Sequence, residues 1–390
     1  MNVSMLVINA FLHDTRVEKE AKTLTEAGYR VKVFALHGPG LVEKETRDGY
    51  TVERVRVRSR GWGTHIAIRA LKYLEFNIRA VWRLVRSRPQ VIHAHDVNAL
   101  VPAYIAAQLA RTRLVYDAHE LWAERRSTLL RSDKLRRLIR TIESCLARRT
   151  DAIITVNHSI AQHLAREYRL PETPIVLMHS QEYREIEHGN ILREEFDLPE
   201  SVRIVIYPGA LLPGRGLETL IQVAPLLERC VIVIMGKGHI VPQLRQQIED
   251  QNLGEQVFLR DAVPPDDVLR YVASADMGVI PTPDTDLSYY YGAGNKLFHY
   301  IMAGIPAAVS DQPEKRRIVE TYGVGAVFDQ TSPKDMARVI NGILADPQAY
   351  QVMRQNARRA SREILNWGVE SKKLLTLYQQ LQPLALEESP

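Results

Sequence analysis

Short β-branched apolar runs alternate with helix-forming stretches along most of this chain, and they do so in two blocks. In the first half the runs are VSMLVIN from Val3, VKVFA from Val31, VIHAH from Val91, RLVYD from Arg113, AIITV from Ala152 and PIVLM from Pro174. Short runs that are apolar throughout fit strands covered on both faces by helices, the pattern of a parallel sheet. The first crossover is a natural βαβ unit: Val17, Ala21 and Leu24 share one helical face, Asp14 stands where an N-cap is needed, and Gly28 follows the helix end. After Met178 the stretch HSQEYREIEHGNILREE has no clear period. The pattern then restarts with RIVIY from Arg203, VIVIM from Val231, QVFLR from Gln256, DMGVI from Asp276 and IPAAV from Ile305, and closes with helical patterns over 333–345 and 347–381. The expected class is α/β with two Rossmann-like domains, the first over 1–180, a linker over 181–200, the second over 201–365, and a terminal helix and tail over 366–390. Open α/β sheets hold ligands at the carboxyl ends of their strands, so the chemistry is sought in the loops there, along a crevice shared by the two domains.

Composition narrows the classes. With 390 residues, 45% hydrophobic and 25% charged, the chain has material for two buried cores. It has no apolar run of about 18 residues, so neither a membrane span nor a secretory signal is expected. Cys145 and Cys230 lie in different halves, so neither a disulfide framework nor a metal set is expected, and the cytoplasm is the expected compartment. The net charge of +5 is unevenly placed: Arg47–Arg88 holds eleven Lys/Arg against three acids, and Arg125–Arg149 nine against two. Such a field fits phosphates, anionic lipid headgroups or acidic glycans, and also fits a solvated arginine-rich surface. Nucleic acid is not expected, because no exposed aromatics or reading motif interleave the charge. Within the first segment Ile66, Leu71, Leu74, Ile78, Trp82 and Val85 recur among the arginines. That spacing fits a helix lying on the inner face of an anionic membrane, or one packed into the first domain.

Three loops carry candidate chemistry. Pro208 to Gly216 follows the strand RIVIY and opens a helix; glycines there, with Gly209, Gly214 and Gly216, let a ligand approach the backbone, and Arg215 can fork onto phosphate oxygens. Gly292 to Tyr300 is a second glycine-rich loop running into a helix, with Lys296 and His299 three residues apart on one side. The third is Tyr116-Asp117-Ala118-His119-Glu120, three polar groups just past a strand end. No nucleophile elbow accompanies its Asp–His pair. His93, His95 and Asp96 read as strand and loop, and Asp284-Thr285-Asp286 as turn chemistry, rather than as metal sites.

Taken together and in order, these segments resemble the family-four retaining glycosyltransferases of GT-B fold, over nearly the whole chain. The resemblance runs through Asp14-Thr15-Arg16-Val17, Tyr116 to Glu120, Gly209 to Gly216, Gly236-Lys237-Gly238, Phe258 to Pro264, Ser274-Ala275-Asp276, Asn295 to Phe298, Gly304-Ile305-Pro306 and Trp367. It implies that Arg215 clamps the diphosphate of a nucleotide-sugar donor and that Lys296, with the backbone around Asn295 and Leu297, holds the neighbouring phosphate. It makes His119 the first-domain histidine near the donor sugar, gives Gly236 and the segment Arg260-Asp261 to donor binding, and places Asp14, Arg16, Asp117 and Glu120 on the acceptor side. The last helix would cross back to the first domain, no metal or other cofactor would be needed, and the acceptor would be the hydroxyl of a glycan or glycolipid. The chain departs from the family at Ala210, where many relatives carry arginine, and at Tyr291 and His299, where glutamates are usual. Those departures leave a catalytically silent sugar-nucleotide-binding protein open beside a transferase, as does another GT-B chemistry such as epimerisation.

Overall fold

A computed structural model describes residues 1–12, 14–63, 65–124 and 132–382. Arg125, Arg126 and Arg131 of the second basic segment lie outside the described residues, as does the tail 383–390. The chain divides into two compact units, one of residues 1–178 with 370–390 and one of residues 179–369.

Unit 1 is built on an eight-stranded sheet. Its elements in chain order are β1 (Asn2–Leu6), α1 (Thr15–Glu26), β2 (Arg30–Leu36), β3 (Lys44–Arg47), β4 (Tyr50–Val55), α2 (Ile66–Arg86), β5 (Val91–His95), α3 (Asp96–Ala110), β6 (Arg113–Ala118), α4 (Asp133–Ala147), β7 (Ala152–Thr155), α5 (His158–Tyr168) and β8 (Ile175–Val176). The strand order is β3-β4-β2-β1-β5-β6-β7-β8, parallel except for the β3–β4 hairpin. All six apolar runs read from the first half become strands. The hairpin was not among them, because Lys44–Arg47 is polar; its turn uses Asp48 and Gly49, both at positive φ. Helix α1 starts as expected, with the Asp14 carboxylate accepting from the Val17 N–H. Helix α2 buries Phe76, Ala80 and Leu84 while Leu71, Leu74, Ile78 and Trp82 stand exposed.

Unit 2 carries α6 (Ile191–Glu195), β9 (Arg203–Pro208), α7 (Leu217–Val223), β10 (Cys230–Met235), α8 (Val241–Asp250), β11 (Val257–Arg260), α9 (Val268–Ala273), β12 (Met277–Ile280), α10 (Leu287–Tyr291), α11 (Asn295–Met302), β13 (Ala307–Ser310), α12 (Pro313–Tyr322), β14 (Gly325–Phe328), α13 (Pro333–Ala345) and α14 (Pro347–Glu363). Its six strands pair in parallel in the order β11-β10-β9-β12-β13-β14. Val205, Tyr207, Ile232, Ile234, Met277 and Val279 form the middle of the core under α7, α8 and α13. The stretch 179–200 falls in this unit, with Leu192 fully buried. The terminal helical pattern is broken at Ile364–Asn366, and the last helix, α15 (Trp367–Gln380), contributes its residues from Glu370 onward to unit 1. There Tyr378 hydrogen-bonds His93 at 2.9 Å, and the Glu370 carboxylate accepts the Met178 N–H at 2.8 Å.

Each sheet reverses its winding once. In unit 1 the chain builds outward from β1 through β2 and returns to β5 on the other side of β1; in unit 2 it leaves β9 for β10 and returns to β12. Such switch points are where open α/β sheets leave room for ligands.

Candidate functional sites at the two switch points

In unit 1, loops after β1, β5 and β6 bring the polar residues together. Arg16, in the first turn of α1, is buried and forks onto Asp117 at the end of β6, Nε to Oδ2 and Nη2 to Oδ1 at 2.9 Å each, while Nη1 donates to the Leu177 carbonyl at 2.7 Å. Glu20, one turn along α1, lies 3.1 Å from Arg16 Nε. Burial and the neighbouring Asp117 charge push the Glu20 carboxyl well above its usual range. Burial works against the charge of Asp117 as well, but Arg16 and His119 outweigh it and hold that carboxyl well below its usual range.

His119 Nε2 meets Asp117 Oδ2 at 3.0 Å, and its Nδ1 lies 3.6 Å from Asp96 Oδ2. Burial alone would lower its pKa; the two carboxylates raise it to about 9, favouring the imidazolium form. Asp96 takes up this position at the start of α3 with φ of 66° and also accepts the His119 backbone N–H at 3.2 Å. A non-glycine residue in the left-handed region costs on the order of 1 kcal/mol, so its placement against His119 is held by its surroundings. Asp14 is occupied as the cap of α1, and Glu120 follows His119 half-buried. His93 and His95 stack with ring centroids 4.2 Å apart; burial lowers both pKa values, and His95 adds to the shift of His93 while Asp117 opposes that of His95. Glu20, His93, His95 and Asp117 offer metal-ligand atoms within 4.8 Å of one another. The cation placed among the two carboxylates is Arg16, whose fork already satisfies Asp117.

In unit 2, the loop after β9 meets those after β12 and β10 so closely that only glycine fits. A Cβ on Gly216 would stand 1.8 Å from the Pro281 carbonyl oxygen, and one on Gly236 1.8 Å from the Gly209 oxygen. Gly209, at φ of 135°, has the Lys296 side chain 3.0 Å from where its Cβ would be. The glycine loop therefore makes room for the lysine as well as for a ligand. Lys296 Nζ stands 4.5 Å over the Tyr207 ring, and the Arg215 guanidinium 4.6 Å over Tyr289. Burial and the proximity of Arg215 lower Lys296 to about 8.

Lys315, on α12, was not legible as a site residue from the sequence. Its ammonium donates to the Gly292 carbonyl at 2.9 Å and to Gln312 Oε1, and burial lowers it to about 7; Asp284 opposes that shift, and Lys296 and Arg215 add to it. Asp286 caps α10, the local role expected of that segment, whereas Asp284 reaches away from it and is shared by the side-chain amides of Gln312 and Gln330, at 2.5 and 2.7 Å. Arg215 thus stands close enough to perturb Lys296, and both to perturb Lys315, while the Asp284 carboxylate that opposes the Lys315 shift is engaged by amides.

The other expected residues are placed differently. His299 Nε2 lies 3.3 Å from the amide nitrogen of Gln181, a neighbour that carries no sequence signal of a site. Asn295 opens α11 exposed, whereas Leu297 is buried and its N–H closes a turn on the Gly294 oxygen at 3.2 Å. The Arg260 guanidinium is held by Glu195, Tyr271 and the Asp261 carbonyl, and its own carbonyl accepts from Gly236 at 2.9 Å. Gly214 adopts φ of 74° just before Arg215, and Ala210, earlier in the same loop, is exposed.

Comparison with known proteins bears on the family and the fold. Residues 13–180 match the family described as Glycosyl transferase 4-like domain, and residues 190–360 that described as Glycosyl transferases group 1. The chain is 21% identical to α-D-kanosaminyltransferase of Streptomyces kanamyceticus over 91% of its own length and 90% of that protein's. It is 23% identical to D-inositol 3-phosphate glycosyltransferase of Corynebacterium glutamicum over 74% and 71%. Among solved structures, sucrose-phosphate synthase from Thermosynechococcus elongatus superposes with a TM-score of 0.81 at 16% identity, covering 98% of this chain and 99% of that one. The Anabaena protein HepE in complex with UDP does so at 0.77 and 17%, covering 97% and 100%. With two matched domains that together span most of its length and a shared GT-B fold, the chain belongs to the group 1 glycosyltransferase family.

Proposed function

We propose that this glycosyltransferase takes its sugar from a nucleotide-diphosphate donor held at the switch point of unit 2, and transfers it with retention of anomeric configuration to a hydroxyl of a glycan or glycolipid. The observation that carries the reading is the cluster of Lys296 and Lys315 with Arg215, at a loop shaped by Gly209, Gly216 and Gly236: burial lowers both ammonium groups, Arg215 adds to the shift of each, and Lys296 adds to that of Lys315. Burying cations without a full complement of anions is costly, and a diphosphate would relieve that cost. As the bond from sugar to phosphate breaks, negative charge grows on the leaving diphosphate. Preorganised cations there stabilise the charge by roughly 3–4 kcal/mol for each donor group, and they supply the positive charge that a divalent ion otherwise would.

In unit 1, His119 is the residue proposed to hold the donor sugar. Its Nε2–H is committed to Asp117, whereas Nδ1 is 3.6 Å from Asp96, beyond hydrogen-bond range, and is available to donate to a sugar hydroxyl. Arg16 and Asp96 act through it by fixing its partners. Retention rests on the motif resemblance, and UDP and UDP-glucose are the first donors to try because the HepE structures hold them. The test is thermal stabilisation by a panel of nucleoside diphosphates and nucleotide sugars, then transfer with chelator present and the product anomer read by proton NMR. Stabilisation by a diphosphate, undiminished transfer with chelator and the donor's own anomer are expected. No stabilisation by any nucleoside diphosphate would overturn the donor assignment, and loss of transfer with chelator the metal independence.

A further inference from the structure

Helix α2 is apolar on two opposite sides. Phe76, Ala80 and Leu84 are buried in unit 1, as an amphipathic helix requires. Half a turn away, Leu71, Leu74, Ile78 and Trp82 follow at spacings of three and four residues and stand in solvent, Ile78 62% and Trp82 60% exposed. The water-facing side of a surface helix is ordinarily polar, so this stripe is not explained by the packing of the unit. Helix α2 packs on α3, and α3 on α4, and both neighbours also carry exposed apolar side chains: Ile105 and Leu109 on the one, Leu135 and Leu138 on the other.

The charge along the helix is mostly positive. Helix α2 carries Arg69, Lys72, Arg79, Arg83 and Arg86 against a single acid, Glu75. That acid is used internally: it accepts from the backbone N–H groups of Arg58 and Ser59 at 2.7 and 2.9 Å and from the Ser59 hydroxyl, which hold it down to about 2, and it pairs with Arg79. Trp62 stands exposed before the helix, and Trp82 near its end has the Arg86 guanidinium 5.1 Å over its ring. Beyond Trp82, a groove of about 510 Å³ is lined by Lys32, Lys44, Arg83 and Arg86 together with Glu43 and Glu53, of which Glu53 pairs with Arg83 at 2.9 Å. Tryptophans near both ends of an apolar stripe, flanked by arginines whose aliphatic stems can lie along it, fit a surface that is anionic outside and hydrocarbon beneath.

We propose that unit 1 docks on an anionic lipid bilayer through the outer side of α2, with Leu71, Leu74, Ile78 and Trp82 entering the boundary between headgroups and acyl chains and the flanking basic residues meeting the headgroups. The proposal rests on this surface alone and stands or falls separately from the donor site. The intact protein is sedimented with vesicles of phosphatidylcholine and of phosphatidylcholine mixed with phosphatidylglycerol, at low and high salt, with size-exclusion chromatography in parallel. Wild type is compared with Ile78→Glu/Trp82→Glu and with Arg69→Gln/Arg86→Gln, each checked for an unchanged melting temperature. Expected are binding to the phosphatidylglycerol vesicles that salt weakens, partitioning at least about tenfold lower in the Ile78→Glu/Trp82→Glu protein, and a reduced salt dependence in the Arg69→Gln/Arg86→Gln protein. Failure to bind those vesicles overturns the proposal, as does equal binding by the first variant. Conversion of a wild-type dimer to a monomer by that variant, without a change in vesicle binding, would assign the stripe to a second copy instead.

Discussion

Lys296 and Lys315 are ammonium groups lowered by burial to about 8 and about 7, so they titrate in a range where most lysines do not. A bound diphosphate favours their charged forms. Affinity for a nucleoside diphosphate should therefore be greatest below about pH 7 and fall as pH rises toward 9, by up to about tenfold per pH unit for each lysine that is deprotonating. Their contribution to the stability of the free protein should run the opposite way. With folded pKa values below the unfolded ones, the unfolded chain binds more protons between pH about 7 and 10, so stability rises with pH there. Calorimetric titration across that range checks the first trend, and Lys296→Ala should remove the part centred near pH 8. Asp117 has a different kind of leverage, because it is the forked partner of buried Arg16. Asp117→Asn should cost about 3–5 kcal/mol in a denaturant titration by leaving that guanidinium underpaired. A cost below about 1 kcal/mol would mean that Glu20 takes over the pairing.

Among the elements, the glycine loops set how near Arg215 and Lys296 can come to a ligand. Gly216→Ala would place a methyl group 1.8 Å from the Pro281 oxygen in a backbone at φ of 76°, so the loop after β9 must move. A loss of at least about 1–3 kcal/mol in stability, with weaker nucleotide binding, is expected. Unchanged binding in thermal-shift titrations would show that the loop can reshape without harm. Much at this scale was legible in the sequence. The apolar runs marked eleven strands, and the glycines of 209–216 and 292–294 marked the two loops, because buried strands and tight turns impose composition locally. Lys315 was not legible: it lies on a helix after β13 in an ordinary polar sequence, and only folding brings it to the Gly292 carbonyl. The β3–β4 hairpin carried a local signal in Asp48-Gly49, but its polar first strand hid it from a reading based on hydrophobic runs. Helix α2 was legible as amphipathic, whereas the exposure of one apolar side and burial of the opposite one required the packed unit.

At the scale of the whole molecule, the two units are unequal in their continuity. Unit 2 is a single stretch of chain, whereas unit 1 is completed by residues 370–390. From that segment Leu374, Leu377 and Tyr378 are buried, and Tyr378 reaches His93 in β5. A chain ending at Val369 loses several large buried side chains from unit 1, each worth on the order of 3 kcal/mol. Hydrogen exchange should then show lost protection in β1, β5 and β6, with nucleotide binding by unit 2 retained; equal loss of protection in both units would contradict the division. The central claim is that the basic cluster of unit 2 carries the leaving diphosphate of the sugar donor. Steady-state release of nucleoside diphosphate and glycoside from a panel of nucleotide sugars tests it most directly, in wild type beside Arg215→Ala and Lys296→Ala. Turnover of at least one donor, falling about 10²-fold in each variant while the fold is kept, is the predicted result; near-native turnover in both variants would contradict it.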